Sequence, residues 1–311
     1  MVTRHFLTGD ELTAAELGAL LDRALALKAD RGGSRALAGH SAGLVFERPS
    51  TRTRISFEVA VHELGGHPVV LRAGEMQLAR GESPRDTAYV LSRYLRLVAV
   101  RTGAHELLER LAEHAGVPVI NMLSNGHHPC QALADLLTLR ERFGTVEGLK
   151  LAYVGDGNNV AHSLMVLGAR AGLHVAVATP AELAPARKVV ELARAGAAAG
   201  GSVTVTVNPV EAAEGAHALY TDVWVSMGDD ADADFKRALL ASYRLDEGLL
   251  AHAHAEAIAL HCLPAHPGEE ISEALLYGPR SAVWDQAENR LHAQKALLEL
   301  LIDGSAAPWP V

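Results

Sequence analysis

Ala42-Gly43-Leu44-Val45-Phe46-Glu47-Arg48-Pro49-Ser50-Thr51-Arg52-Thr53-Arg54 is the stretch whose reading decides the fold of this chain. Its first five residues form a short apolar run, the pattern of a buried strand. Beyond it, Ile55, Val59 and Leu64, with Phe57 and Val61 beside them, predict one side of a helix. Ser50–Arg54 therefore falls where a strand ends and a helix begins. Unpaired backbone N–H groups and the positive end of the helix dipole meet at such a turn, so anions are held there readily. Hydroxyls at Ser50 and Thr51, with the forked guanidiniums of Arg52 and Arg54, suit phosphate oxygens. A serine N-cap beside solvated arginines is the plainer alternative, and the rest of the chain decides between the two.

With 311 residues the chain is too long for one ordinary core and suits two of about 150 residues each. A hydrophobic content of 49% with few aromatics fits an Ala/Leu/Val-rich α/β protein. The formal charge of −9 argues against a nucleic-acid surface while leaving room for a local basic pocket. Cys130 and Cys262 are the only cysteines, too few for a disulfide framework, which points to a reducing compartment. No apolar run reaches the length of a membrane span. Thr13-Ala14-Ala15-Glu16 reads as a capping box opening an amphipathic helix with Leu17, Leu20, Leu21, Ala24 and Leu27, not as part of a signal peptide. A cytoplasmic location without nucleic-acid or membrane partners is the expectation.

Strand-like and helix-like segments alternate from Ala42 onward, the pattern of parallel sheets covered by helices. Strands are expected at Ala42–Phe46, His67–Leu71, Leu97–Val100 and Val117–Asn121, then a helix from Pro129 to about Arg142. Phe143–Gly148 reads as a junction. The pattern then restarts with strands at Leu149–Val154, Leu173–Ala178, Val203–Val207, Ala218–Thr221 and Ala257–His261, and a short one near Ser281–Trp284. Helices are expected at Asn159–Ala171 and Gln286–Leu301, and the tail from Gly304 is expected to fray. The fold class is thus α/β with two domains, each a mainly parallel sheet flanked by helices.

Residues with chemical potential gather at predicted strand ends, where open parallel sheets bind ligands. Arg101 follows Leu97–Val100. His128 and Gln131, three apart, share one side of a first helical turn and together could read a carbamoyl or amide group. Cys262 follows the strand ending at His261, and a Pro264 turn comes next. Zinc ligation by His261 with His266, or by His261 with His127, His128 and Cys130, is discounted because no Cys-x-x-Cys pair is present and arginines crowd the region. Gly155-Asp156-Gly157-Asn158-Asn159 opens a helix but has Val160 where a dinucleotide fingerprint needs its third glycine. A tight turn presenting Asn159 fits better than a nicotinamide enzyme. Asp222, followed by Ser226-Met227-Gly228, could grip an α-ammonium group, with Trp224 an unusual loop residue.

Taken in order, these segments resemble the aspartate/ornithine carbamoyltransferase family. The match runs through Phe46–Pro49, Ser50–Arg54, Gln77-Leu78, Gly81–Ser83, Arg101, His128–Gln131, Gly155–Asn159, Asp222–Gly228, His261–Pro264 and Asp285–Arg290. Ala79-Arg80-Gly81-Glu82 stands where aspartate-specific members carry a lysine, and Asp222–Gly228 matches the ornithine-specific motif. Putrescine or acylated ornithines are the alternative acceptors, and a non-catalytic scaffold is the remaining rival. Asn125, in place of a common aspartate, and Arg244-Leu245-Asp246 depart from the family pattern.

The resemblance implies carbamoyl transfer from carbamoyl phosphate to the δ-amine of ornithine, giving citrulline and phosphate, with no metal and no organic cofactor. It implies a carbamoyl-phosphate domain of residues 1–142 with a returning C-terminal helix, 286–311, and an ornithine domain of residues 143–285. By resemblance, Ser50, Thr51, Arg52 and Thr53 hold the phosphate, completed by Gln77 from a neighbouring subunit of a homotrimer or a multiple of trimers. Arg101 and His128, with Thr53, take the carbonyl oxygen. Gln131 and the Leu263 carbonyl take the carbamoyl NH₂, and Arg290 adds positive charge. Asn159, Asp222, Ser226 and Met227 hold the amino-acid end of ornithine, and Cys262 helps to place its δ-amine.

Overall fold

The computed structural model describes residues 3–198, 200–225 and 232–303. The chain divides into two compact units, one running to Leu137 and resuming at Asn289, the other covering Thr138–Glu288.

In the first unit, α1 (Ala14–Ala29) is capped by the expected box, with Thr13 accepting from the Glu16 N–H and Glu16 reaching back. The elements β1 (Ser41–Phe46), α2 (Thr51–Glu63), β2 (His67–Arg72), α3 (Pro84–Tyr94), β3 (Leu97–Arg101), α4 (His105–His114), β4 (Val119–Leu123) and the first part of α5 (Pro129–Phe143), which runs on into the second unit, follow. The four strands form a sheet of order β2-β1-β3-β4, parallel at every pairing. Valines and leucines of β1, β3, β4 and α4, among them Val45, Val98, Val100, Leu108 and Val119, make one of its cores.

The second unit contains β5 (Lys150–Val154), α6 (Asn159–Arg170), β6 (His174–Ala178), α7 (Arg187–Ala195), β7 (Ser202–Thr206), α8 (Pro209–Ala213) and β8 (Ala218–Thr221). It continues with α9 (Ala233–Leu240), α10 (Glu247–Leu250), β9 (Ile258–His261), α11 (Glu273–Tyr277) and the start of α12 (Val283–Asp303). The sheet order is β7-β6-β5-β8-β9, again parallel throughout. Small strand residues such as Ala152, Ala176 and Ala259 let the helices approach, and Trp224 is buried among them.

The strand order has a direct consequence for function. Chain connections leave the sheet in opposite directions from β1 and β3, and likewise from β5 and β8. Each pair marks a topological switch point, where a crevice opens beyond the strand carboxyl ends. Register places Phe46 beside Arg101 at the first. At the second, Tyr153 lies beside Tyr220; on the far side of β8, Thr221 lies beside His261 of β9.

Three sequence expectations are corrected. Ile55 does not belong to the buried side of α2: it is 57% exposed, while Phe57, Ala60, Val61 and Leu64 are buried. The buried stripe is anchored at Thr53, and a residue two positions on points roughly 200° around the helix. Ser281–Trp284 is not a strand; Ser281 makes one isolated bridge to Ala259, and α12 already begins at Val283. Strand β4 starts at Val119 rather than Val117, and the N-terminal segment pairs with it through Phe6 and Ile120.

From Asn289 onward α12 is part of the first unit. There Arg23 pairs with Glu299 at 2.6 Å, and the buried Lys295 ammonium with Glu63 at 2.8 Å. These contacts fix the helix that carries Arg290.

Candidate active site

The first unit presents a cluster of cationic and hydrogen-bonding groups around Thr53. Ser50 is the N-cap of α2, its hydroxyl accepting from the Thr53 N–H at 3.3 Å. That cap turns the Thr53 side chain inward, where it is fully buried. Its Oγ1 accepts from Arg290 Nη2 at 2.8 Å and from Arg101 Nη1 at 3.3 Å. Two guanidiniums thus converge on one hydroxyl oxygen at the head of a helix. The strand ends are tied together as well: the Glu47 N–H donates to the Arg101 carbonyl at 2.9 Å, and the Glu47 carboxylate accepts from the Gly103 N–H and the Thr102 hydroxyl.

His128 is buried beside this pair. Burial, then the charges of Arg290 and Arg101, hold its imidazole well below the ordinary histidine range. It is therefore neutral near pH 7, with one ring N–H able to donate and no charge to add to the cluster. Gln131 donates from Nε2 to Asp135 Oδ1 at 2.9 Å, which fixes the direction of its amide. Among the described residues, nothing donates to its buried Oε1. An open buried acceptor next to a set of donors is what an incoming NH₂ group requires. Cys130 does not contribute chemically: its thiol donates to the Asn121 carbonyl at 3.3 Å, and burial pushes it up to about 12.

Ser50 and Arg52 are partly exposed at the start of α2, and Thr51 is exposed. Arg54 is not a phosphate donor here; it faces outward and pairs with Glu58 at 2.6 Å, one helical turn on. Gln77 is exposed on a short 3₁₀ turn, Gln77–Arg80, between β2 and α3.

The second unit assembles a different set. Asp222 is buried at the end of β8. Its Oδ1 accepts from the Cys262 thiol at 2.9 Å, and its Oδ2 from Asn158 Nδ2 at 2.8 Å. Asn158, not singled out in the sequence, also caps α6. Its neighbour Asn159 is the first residue of that helix and is partly exposed. The turn before them is forced by sterics: a Cβ at Gly157 would lie 2.4 Å from the Leu183 carbonyl oxygen. Asp156 in the same turn pairs with Lys236 of α9 at 2.8 Å.

Leu263 adopts φ = 60°, a left-handed conformation costly for a branched side chain. Its N–H donates to His261 Nδ1 at 2.8 Å, while His261 Nε2 lies 3.2 Å from the buried Glu270 carboxylate. Nδ1 is thus an acceptor and Nε2 the donor. Asp222, His261 and Cys262 offer atoms of metal-ligand type within 4.8 Å of one another. Each is already committed to a hydrogen bond, so ligation would break the arrangement just described.

Ser226 and Met227 lie outside the described residues. Trp224 is a core residue, 5% exposed, which accounts for an aromatic in this segment. The departure at Arg244–Asp246 is structural. Arg244 donates to the carbonyls of Gly268 and Glu269, and Asp246 caps α10 through the Leu249 N–H. Asn125 donates its N–H to the Gly103 carbonyl, which asks nothing of its side chain.

Comparison with known proteins gives a consistent picture. The carbamoyl-phosphate-binding domain of aspartate/ornithine carbamoyltransferase matches residues 4–141, and the family's Asp/Orn-binding domain matches residues 147–301. The chain is 56% identical to the ornithine carbamoyltransferase of Acidothermus cellulolyticus over 97% of both chains. It is 48% identical to the anabolic ornithine carbamoyltransferase of Pyrococcus furiosus over 97% of both. The solved structure of a Pyrococcus furiosus ornithine carbamoyltransferase superposes with a TM-score of 0.93 over 98% of each chain, at 47% identity. An N-acetyl-L-ornithine transcarbamylase structure also superposes, with a TM-score of 0.86 over 96% of this chain and 99% of that one, at 31% identity. The fold is therefore shared across acceptor specificities. On the strength of both domain matches and these full-length likenesses, the chain belongs to the aspartate/ornithine carbamoyltransferase family.

Proposed function

We propose that this protein transfers the carbamoyl group of carbamoyl phosphate to the δ-amine of L-ornithine, forming L-citrulline and phosphate. The observation that carries the reading is the convergence of Arg101 and Arg290 on Thr53 at the head of α2, beside a neutral His128. This cluster is ready for an anion and for the negative charge that develops on a carbonyl oxygen.

The phosphate is taken by Ser50, Thr51, Arg52 and Thr53. Arg101, His128 and Thr53 donate to the carbonyl oxygen, and Arg290 offsets the charge of the leaving group. Gln131 Oε1 and the Leu263 carbonyl accept from the carbamoyl NH₂. In the second unit Asn159 reads the α-carboxylate of ornithine, and Asp222, with Ser226 and the Met227 backbone, its α-ammonium. Cys262 helps to place the δ-amine. The neutral δ-nitrogen attacks the carbonyl carbon, the C–O bond to phosphate breaks, and the nitrogen sheds one proton, for which the departing phosphate is the natural base. No covalent thiol adduct is required.

Exposed Ile55, Tyr89, Val90 and Tyr94 on α2 and α3 support a subunit contact on the first unit. Gln77 is exposed nearby in sequence, and the assembly implied by the family resemblance is a homotrimer or multiple of trimers in which Gln77 serves a neighbour's phosphate site. A cytoplasmic location, with residues 1–142 and 286–311 serving carbamoyl phosphate and 143–285 serving ornithine, completes the proposal.

The test is citrulline formation with a panel of acceptors. Ornithine is expected far above putrescine, which lacks the carboxylate, above N-acetylornithine, whose α-nitrogen is neutral, and above aspartate. Equal turnover of putrescine or preference for N-acetylornithine would overturn the assignment.

A further inference from the structure

We infer that Asn158 is a positioning residue for the acceptor side of the reaction, aiming the Asp222 carboxylate at the amino-acid substrate; this rests on the reading of Asp222 given above.

The direction of the Asn158 amide is over-determined. Its Oδ1 accepts from the Val160 N–H at 2.9 Å, from the Ala161 N–H at 3.3 Å and from the Tyr153 hydroxyl at 3.3 Å. With three donors on the oxygen, the NH₂ end must face Asp222, where Nδ2 lies 2.8 Å from Oδ2. Tyr153, which secures this orientation, is fully buried on β5 with its ring 5.7 Å from that of Tyr220. The Cys262 thiol occupies one site on the other carboxylate oxygen. Asp222 is thus gripped from the β5–α6 turn by Asn158 and from the end of β9 by Cys262. Among the described residues one acceptor position on each oxygen is used, which leaves capacity on both oxygens for an ammonium group. An aspartate held by a single donor could rotate about its Cβ–Cγ bond; one held at both oxygens cannot do so without breaking a hydrogen bond.

Asn158 has a second, purely structural job as the N-cap of α6, and the two roles can be separated by choice of substitution. Serine and aspartate cap helices about as well as asparagine. Asn158→Ser keeps the cap and removes the donor to Asp222. Asn158→Asp keeps the cap and sets a second carboxylate against Asp222. If capping were the whole role, both variants would behave like the parent.

The experiment measures, for the full-length parent and both variants, citrulline kinetics and calorimetric binding of L-norvaline to the carbamoyl-phosphate complex. L-Norvaline carries ornithine's α-groups without the δ-amine. Asn158→Ser is expected to weaken norvaline and raise the KM for ornithine roughly tenfold, with carbamoyl-phosphate affinity unchanged. Asn158→Asp is expected to be worse than Asn158→Ser on both counts, although the two are equal as caps. Parent-like norvaline affinity and ornithine KM in both variants would overturn the positioning role while leaving the function intact. A parent enzyme unable to carbamoylate ornithine would overturn the function and the inference together.

Discussion

The two units solve opposite electrostatic problems with the same architecture. Each is a parallel sheet whose switch point opens beyond the strand carboxyl ends. In the first unit that point is lined with cations: Arg101 and Arg290 share one hydroxyl acceptor, and His128 stays neutral beside them. In the second it holds a buried carboxylate, Asp222, with a thiol on one oxygen and an amide on the other. On the proposed reading, the first unit takes the anionic donor and the second the cationic acceptor. The fold thus supplies only the crevice, while the residues that end each strand decide which charge suits it.

Arg290 is the residue whose loss should cost the cationic unit most. Arg290→Met removes a preorganised donor from the cationic cluster and should lower kcat by roughly 10²–10³-fold. Phosphate or carbamoyl phosphate should also raise the melting temperature less than in the parent, because ligand binding to the folded state is weaker. Turnover kinetics and a thermal shift with phosphate check both, and parent-like values in both would remove the cationic cluster from the account.

A smaller effect, on stability, sharpens the same contrast. His128 has its folded pKa depressed by burial and by two guanidiniums, and burial lowers His5 in the same unit. Below the ordinary histidine value the unfolded chain binds protons that the folded chain refuses. Stability is therefore full above about pH 6.5 and declines as pH falls through the range between that value and the lowered folded ones. Urea midpoints should fall between pH 7.5 and 5.5, and His128→Asn should flatten part of that slope. A parent midpoint independent of pH across this range would contradict a neutral, desolvated His128.

Much of this contrast was legible in the sequence, for reasons that are physical. Short apolar runs ending in polar residues mark parallel strands and their carboxyl ends, so the neighbourhoods of Ser50, Arg101, His128, Asp222 and Cys262 could be placed before the fold was known. The family resemblance then supplied roles for them. What escaped was set by tertiary context. Ile55 sits among apolar neighbours in sequence, yet Thr53 is the inward residue of its turn because two arginines await its hydroxyl. Trp224 looked like a loop feature and is a core side chain, since burial is not periodic in an irregular segment. Arg54 resembled a phosphate ligand, but on a helix Glu58 lies one turn away and claims it. Asn158 was overshadowed by Asn159. An asparagine immediately before a helix signals a cap, and nothing local shows that its other end meets a carboxylate more than sixty residues further on.

The central claim, that separate units read the donor and the acceptor by opposite charge, is tested most directly by calorimetry on Asp222→Asn. The variant is titrated first with carbamoyl phosphate and then, when saturated, with L-norvaline. Carbamoyl-phosphate affinity should stay parent-like while norvaline binding loses about 2–5 kcal/mol, as expected when one partner of a buried charge pair is neutralised. Weakened carbamoyl-phosphate binding with norvaline affinity retained would contradict it.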